Sequence, residues 1–254
     1  MNPFLLLPPE TAHGLTLALL KTGLVPKAAP DPASLQVKLL GKVFTNPIGL
    51  SAGADKRAES LSGWQALGFG FVEAGTLTLH PRAGNPSPRL WRFPDQNAVI
   101  NWLGLPSAGP DVFVENLKAY RARASAMHVG VSLASPEGQS DDFKKLAAMT
   151  APLADYLALN ISCPNTEDDM AGTLASLKGQ IAAIRSEAGA CPVMVKLGPT
   201  GDTDSLRPLV LTALEAGAAG FIATNTVPFD KHGLLNGAVP NWPLNAQGQH
   251  VGGY

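Results

Sequence analysis

Cysteine is nearly absent from this chain: Cys163 and Cys191 are the only two in 254 residues. Two thiols exclude a disulfide scaffold, and neither stands at the Cys/His spacing of a metal site, so a reducing, cytoplasmic setting is expected and no metal. Aromatic residues are scarce at 6%, and the charged 15% nearly cancels to a formal net charge of -1. Lys and Arg are scattered rather than gathered in a stripe, so no nucleic-acid partner is expected. Long apolar runs are missing too. The first 24 residues are mildly apolar but broken by Pro8, Pro9, Glu10, His13 and Lys21. That excludes a signal-peptide layout and the roughly 20 unbroken apolar residues of a membrane span.

What is present is a hydrophobic content of 45% in a length that suits one large α/β domain or two small ones. Residues 9–24 read as a short helix with Pro9 in its first turn and leucines at 15, 17, 19, 20 and 24. It is either an ordinary helix packed on the body or an interfacial one that leans on lipid or admits a lipophilic ligand. The Pro/Ala-rich residues 26–34 read as a linker, which makes 1–34 a helical arm and 35–254 the main domain.

From Leu35 the pattern alternates strand and helix, which predicts a parallel sheet with crossover helices. Strands are expected near 48–50, 69–73, 128–133, 156–160, 193–197 and 220–223. Helices are expected near 58–67, 110–124, 140–149, 173–187 and 205–215. Six β/α steps fall short of a full eight-stranded barrel, which needs about 250 residues for the barrel alone. The expected fold is therefore a TIM (β/α)8-type barrel truncated after the sixth strand, preceded by a short helical extension.

Chemistry gathers at the strand ends. The apolar run 155–159 leads into Asn160-Ile161-Ser162-Cys163-Pro164-Asn165-Thr166, a loop with two amides, two hydroxyls and a thiol. The other strands run into Ser51-Ala52-Gly53-Ala54-Asp55-Lys56, Gly75-Thr76, Lys196 and Thr224-Asn225-Thr226. All would meet on one rim, the catalytic face of a barrel, where Ala52 and Gly53 let a flat ring approach the backbone. An Ala-Gly pair alone is ordinarily just a turn, and Asn225 alone can be satisfied by its loop. Lys196 ends an apolar strand, where an unpaired ammonium costs several kcal/mol unless an anion or ligand offsets it. Cys163 is either structural or, with its pKa lowered by nearby donors, a group that removes a proton. Cys191, beside Pro192 and without polar company, reads as a bystander thiol.

These strings together resemble the dihydroorotate dehydrogenase family. The matching segments are residues 46–53 with Asp55-Lys56, 68–73 with Gly75-Thr76, 81–90 (PRAGNPSPRL), Ile100-Asn101 with Leu103-Gly104, 160–166, Val195-Lys196 and 223–226. The resemblance implies an FMN-dependent α/β barrel that oxidises dihydroorotate to orotate in pyrimidine biosynthesis. It implies Ala52, Gly53, Thr76, Ser132, Asn160, Lys196 and Thr224 at the flavin, with Lys196 on the N1/C2 side of the ring. It implies Lys56, Asn101, Asn160, Asn165, Asn225 and Thr226 on the substrate, and Cys163 as the base.

The family's classes are mixed here. A cysteine base, together with Trp102 and Leu105 in the substrate loop, resembles the cytosolic class, whereas the arm opening Pro9-Glu10-Thr11-Ala12-His13 resembles the quinone-linked class. Ser132 stands where the family commonly places an asparagine, and the glycine-rich phosphate grip of the last two strands is not in the sequence. The expected acceptor is a quinone, with peripheral contact of the arm on the inner face of the cell membrane. The alternatives are fumarate or another soluble acceptor, or a truncated relative that does not catalyse. The oligomeric state is left open.

Overall fold

The computed structural model describes residues 3–123, 127–161, 170–199, 203–227 and 242–253. A 3-10 turn at Pro3–Leu6 leads into α1 (Pro9–Thr22), which begins at a proline whose missing N–H would have been unpaired anyway. Glu10 lies in its first turn and Lys21 in its last, both matched to the helix dipole. Gly23 ends it in the left-handed conformation (φ 71°), with its N–H on Leu20 O at 3.3 Å. Leu17 and Leu20 turn inward and join the main hydrophobic core, while Leu5, Leu6, Leu15, Leu19 and Leu24 stay exposed.

The hairpin β1 (Val37–Leu39) and β2 (Lys42–Phe44) turns through Leu40 and Gly41, both at positive φ, as a two-residue antiparallel connection requires. Next come β3 (Gly49–Leu50), α2 (Leu61–Ala66), β4 (Phe71–Leu77) and a second hairpin, β5 (Leu90–Phe93) with β6 (Ala98–Asn101). The chain then alternates α3 (Pro110–Arg121), β7 (His128–Leu133), α4 (Ser140–Thr150), β8 (Tyr156–Asn160), α5 (Met170–Ala188), β9 (Val193–Leu197), α6 (Thr203–Glu215) and β10 (Gly220–Ala223).

Six strands form one all-parallel sheet in the order β3-β4-β7-β8-β9-β10. The order follows the chain, as in the wall of a β/α barrel, and among the described residues β3 and β10 are its two edges. All six strands expected from the sequence are present, and the helices differ mainly at their ends. α2 starts at Leu61 rather than 58, because Ala58 is at positive φ and the N–H groups of Glu59 and Ser60 bond to the Asp55 carboxylate at 2.9 Å each. α5 starts three residues earlier than expected, at Met170.

The core lies between the sheet and its helices. Val72, Val129, Val131, Leu157, Leu159, Val193 and Val195 meet Phe113, Leu117, Phe143, Leu146, Ile181 and Ile184, all buried. Strands covered on both faces read as continuous apolar runs, which is why they were visible in the sequence. Below the sheet, Asp155 is a hub. Its carboxylate accepts Arg121 Nη2 at 2.6 Å and the Val129 N–H at 2.8 Å, and it pairs with Lys42 and His128 at 3.0 Å each. The hub ties the β1–β2 hairpin to β7, β8 and α3. Burial would raise the Asp155 carboxyl, but the Val129 N–H and the Arg121 and Lys42 charges outweigh it and hold it well below the usual range.

Candidate functional site

The carboxyl ends of the parallel strands meet at one rim, and the rim is stitched by backbone bonds. Gly53 N–H donates to Gly75 O at 2.7 Å, and Gly75 N–H to Asp55 O at 3.0 Å, which locks the loop after β3 onto the end of β4. Gly75 is at φ 111°, and a Cβ there would lie 2.7 Å from Ser132 O, so no other residue fits without movement. Gly53 is also at positive φ (104°), but nothing stands within 4 Å of where its Cβ would be. Its backbone is bare on that side.

Three polar side chains interlock at the centre. Thr76 Oγ1 lies 3.0 Å from Ser132 Oγ, and Asn160 Nδ2 donates to Thr76 Oγ1 at 3.3 Å. Asn160 Oδ1 is buried and has no hydrogen-bond partner among the described residues. Turning the amide over would only orphan its NH2 instead, so either orientation leaves one buried amide group facing a place where a partner belongs. Leaving such a group unpaired costs roughly 1–3 kcal/mol. Asn160 is in register with Lys196, which is in register with Ile222, and Lys196 and Thr224 line one cavity of about 440 Å³ on the inner face.

Beyond Thr224, Asn225 N–H bonds to Leu197 O and Asn225 Oδ1 accepts the Thr226 N–H, both at 2.9 Å. Asn101, at the end of β6, exchanges two backbone bonds with Gly253 at 3.0 and 2.9 Å. A Cβ on Gly253 would lie 2.4 Å from Thr226 Oγ1, so Asn101 and Thr226 flank that glycine closely. The structure thus brings Ala52, Gly53, Lys56, Thr76, Ser132, Asn160, Lys196, Thr224, Asn225 and Thr226 along one rim, with Asn101 joined through Gly253. Cys163 and Asn165 lie outside the described residues. Cys191 is half-buried with Sγ 3.7 Å from Ala154 O, and burial pushes its thiol up to about 11, as suits a bystander.

The sequence reading missed how α1 reaches the rim. His13 Nε2 lies 2.6 Å from Ala54 O, and Lys56 Nζ bonds Gly53 O beside it. Glu10 Oε1 accepts Arg89 Nε at 3.0 Å and Nη2 at 2.9 Å, while Ser87 Oγ donates to the other oxygen at 3.2 Å. Arg89 holds the Glu10 carboxyl below its usual value. Burial lowers the Lys56 ammonium, with Glu10 pulling it back up and Arg89 adding to the fall. A glutamate and a histidine three residues apart on α1 share one face. That spacing was the available signal.

Among the described residues no group of His, Cys, Asp and Glu could hold a metal ion, and no helix is long and apolar enough to cross a membrane. Residues 34–233 match the family model for dihydroorotate dehydrogenase. The chain belongs to the dihydroorotate dehydrogenase family. A protein of Marinobacter nauticus called dihydroorotate dehydrogenase (quinone) is 39% identical over 237 residues, covering 87% of this chain and 69% of that protein. One of the same name from Parvibaculum lavamentivorans is 38% identical over 244 residues, covering 93% and 69%. The crystal structure of DHODH from Eimeria tenella in complex with ferulenol superposes with a TM-score of 0.79 at 31% identity, covering 89% of this chain and 69% of that one. Dihydroorotate dehydrogenases are flavoproteins, and the rim suits a flavin: it carries a bare glycine backbone at Gly53 and, on adjacent strands, Lys196 and an amide unpaired among the described residues.

Proposed function

We propose that this dihydroorotate dehydrogenase oxidises dihydroorotate to orotate in pyrimidine biosynthesis, with FMN as its cofactor and a quinone as its electron acceptor. The observation that carries the reading is the buried amide of Asn160, set between the Thr76–Ser132 pair and Lys196 with its Oδ1 unpaired among the described residues. A heteroaromatic ring with N–H and C=O edges, resting against Gly53, would satisfy it. Ala52, Gly53, Thr76, Ser132, Asn160, Lys196 and Thr224 would hold the flavin. Bound FMN would supply the acceptor for the hydride that leaves C6 of dihydroorotate.

The other steps belong to the chain's own side chains. Asn101, Asn160, Asn165, Asn225 and Thr226 would hold the substrate ring, since carboxamides offer both donors and acceptors without adding charge. Lys56 would meet the substrate carboxylate. Cys163 would take the C5 proton, from the face of the substrate opposite the one that loses hydride. Residues 1–34 would serve as the acceptor-side arm of the barrel domain 35–254. Two observations support that role: His13 reaches the Ala54 carbonyl, and the exposed leucines of the arm suit peripheral contact with the inner face of the cell membrane and an apolar quinone.

Anaerobic addition of dihydroorotate to the FMN-loaded protein should bleach the flavin absorbance, and a short-chain quinone should restore it. Restoration by fumarate and not by quinone would overturn the acceptor. No bleaching would overturn the substrate.

A further inference from the structure

Two rungs below the rim, on the inner face of the sheet, lies a polar group that the proposed reaction does not use. Glu73 on β4 is 4% exposed, and Tyr156 Oη on β8 donates to its Oε2 at 3.3 Å. β7 runs between those strands, with Gly130 in register with both residues. A Cβ on Gly130 would lie 2.1 Å from Tyr156 Cζ, so the phenol ring crosses β7 only because that residue is glycine. Burial and the neighbouring Glu73 push the Tyr156 hydroxyl up, which keeps it a donor. Glu73, Tyr156 and Lys196 line the same cavity. Burial raises the Glu73 carboxyl, and the Lys196 charge and the Tyr156 hydroxyl pull it back down.

We infer that Glu73 is a positioning residue for Lys196: its carboxylate, held by Tyr156 across Gly130, is the counter-charge that fixes the Lys196 ammonium on the inner face and sets the charge presented to the flavin ring. An apolar barrel interior has no other use for a lone carboxylate, since burying one is unfavourable unless a cation or donors offset it. Among the described residues the carboxylate is offset by the Tyr156 hydroxyl, through a hydrogen bond, and by the Lys196 charge, which acts across the shared cavity without a direct ion pair. Reduction brings negative charge to the ring, so a carboxylate that partly neutralises Lys196 lowers the flavin's affinity for electrons, and its removal raises it.

The inference rests on the proposed flavin reading only in its second half, so the test has two arms on the full chain. Without flavin, denaturation of the parent, E73Q, K196M and the double variant forms a cycle. E73Q should reduce the folding equilibrium constant about tenfold more in the parent than in the K196M background, within the range of coupled neighbours. Equal effects in the two backgrounds would overturn the pairing. With FMN bound, E73Q should shift the flavin midpoint potential upward, Y156F should shift it less in the same direction, and the E73Q shift should shrink in K196M. An unchanged potential in E73Q would overturn the tuning role. A parent that takes up no FMN would sink the flavin reading instead, while the flavin-free cycle still decides the charge pair.

Discussion

Asn160 Nδ2 lies 3.3 Å from Thr76 Oγ1, which spends half of a buried amide on a neighbour and leaves Oδ1 without one among the described residues. The energetic consequence differs between the empty and the loaded protein. Asn160→Ala removes a group that is costly to bury unpaired, so the flavin-free chain should lose no more than about 1 kcal/mol of stability. FMN affinity, measured by fluorescence titration, should fall by roughly 5- to 150-fold, the equivalent of about 1–3 kcal/mol. Unchanged affinity would mean that the amide does not face the ring.

Cys163 carries the proton-transfer reading. Cys163→Ala should slow flavin reduction by dihydroorotate by roughly 10²- to 10⁴-fold, the usual contribution of a general base, while Cys163→Ser retains part of the rate. Stopped-flow absorbance would report both. Rates within about threefold of the parent in both variants would remove the role.

Asp155 should dominate acid sensitivity at the lower end of the sheet. Its folded carboxyl sits below the ordinary 3.8, so the stability it contributes is present above that pH and is lost as pH falls through the folded value. Asp155→Asn strands Arg121 and Lys42 without their carboxylate and should cost about 3–5 kcal/mol near neutral pH. The difference between variant and parent should narrow below about pH 4. Urea denaturation at several pH values would check it.

Glu73 works with the opposite sign. Its folded carboxyl is raised above the ordinary 4.5, so its contribution is fully present below that pH and is lost as pH rises through the folded value. Glu73→Gln cannot ionise. The stability of that variant relative to the parent should therefore improve as pH rises above the ordinary 4.5 and level off once the folded carboxyl has ionised. A constant difference above that pH would show that Glu73 does not titrate on folding.

Gly130→Ala should cost about 1–3 kcal/mol through overpacking against the Tyr156 ring. The same change in a Tyr156→Leu background should cost less, because a shorter side chain can withdraw. Equal costs in the two backgrounds would place the strain elsewhere than at the ring.

The parallel strands were legible because they are apolar on both faces: runs such as 156–159 and 193–195 allow little else. The rim was legible for the same reason, since a polar side chain at the end of such a run has nowhere to point but outward. The β1–β2 and β5–β6 hairpins were not read. Their strands are three or four residues long, and the second turns through Pro94–Gln96 with Asn97 at φ 49°, too short a pattern for alternation to show. The Glu73–Tyr156 bond depends on a glycine three strands after one partner in the chain and one before the other, so no local spacing reveals it. Glu73 within the run Phe71-Val72-Glu73-Ala74 was nevertheless a visible anomaly, a charge inside a strand that should be buried.

The β5–β6 hairpin grips opposite ends of the described polypeptide. Arg92 Nη1 holds Phe4 O at 3.0 Å and Nη2 holds Leu7 O, while Asn101 pairs with Gly253 and Ile100 packs with Trp242. The rest of the molecule is assembled from neighbours in chain order, so early and late segments have few other reasons to communicate. This hairpin is the clasp between them: a pull on the turn ahead of α1 has a short mechanical route, through Arg92 and β6, to Asn101 and Gly253.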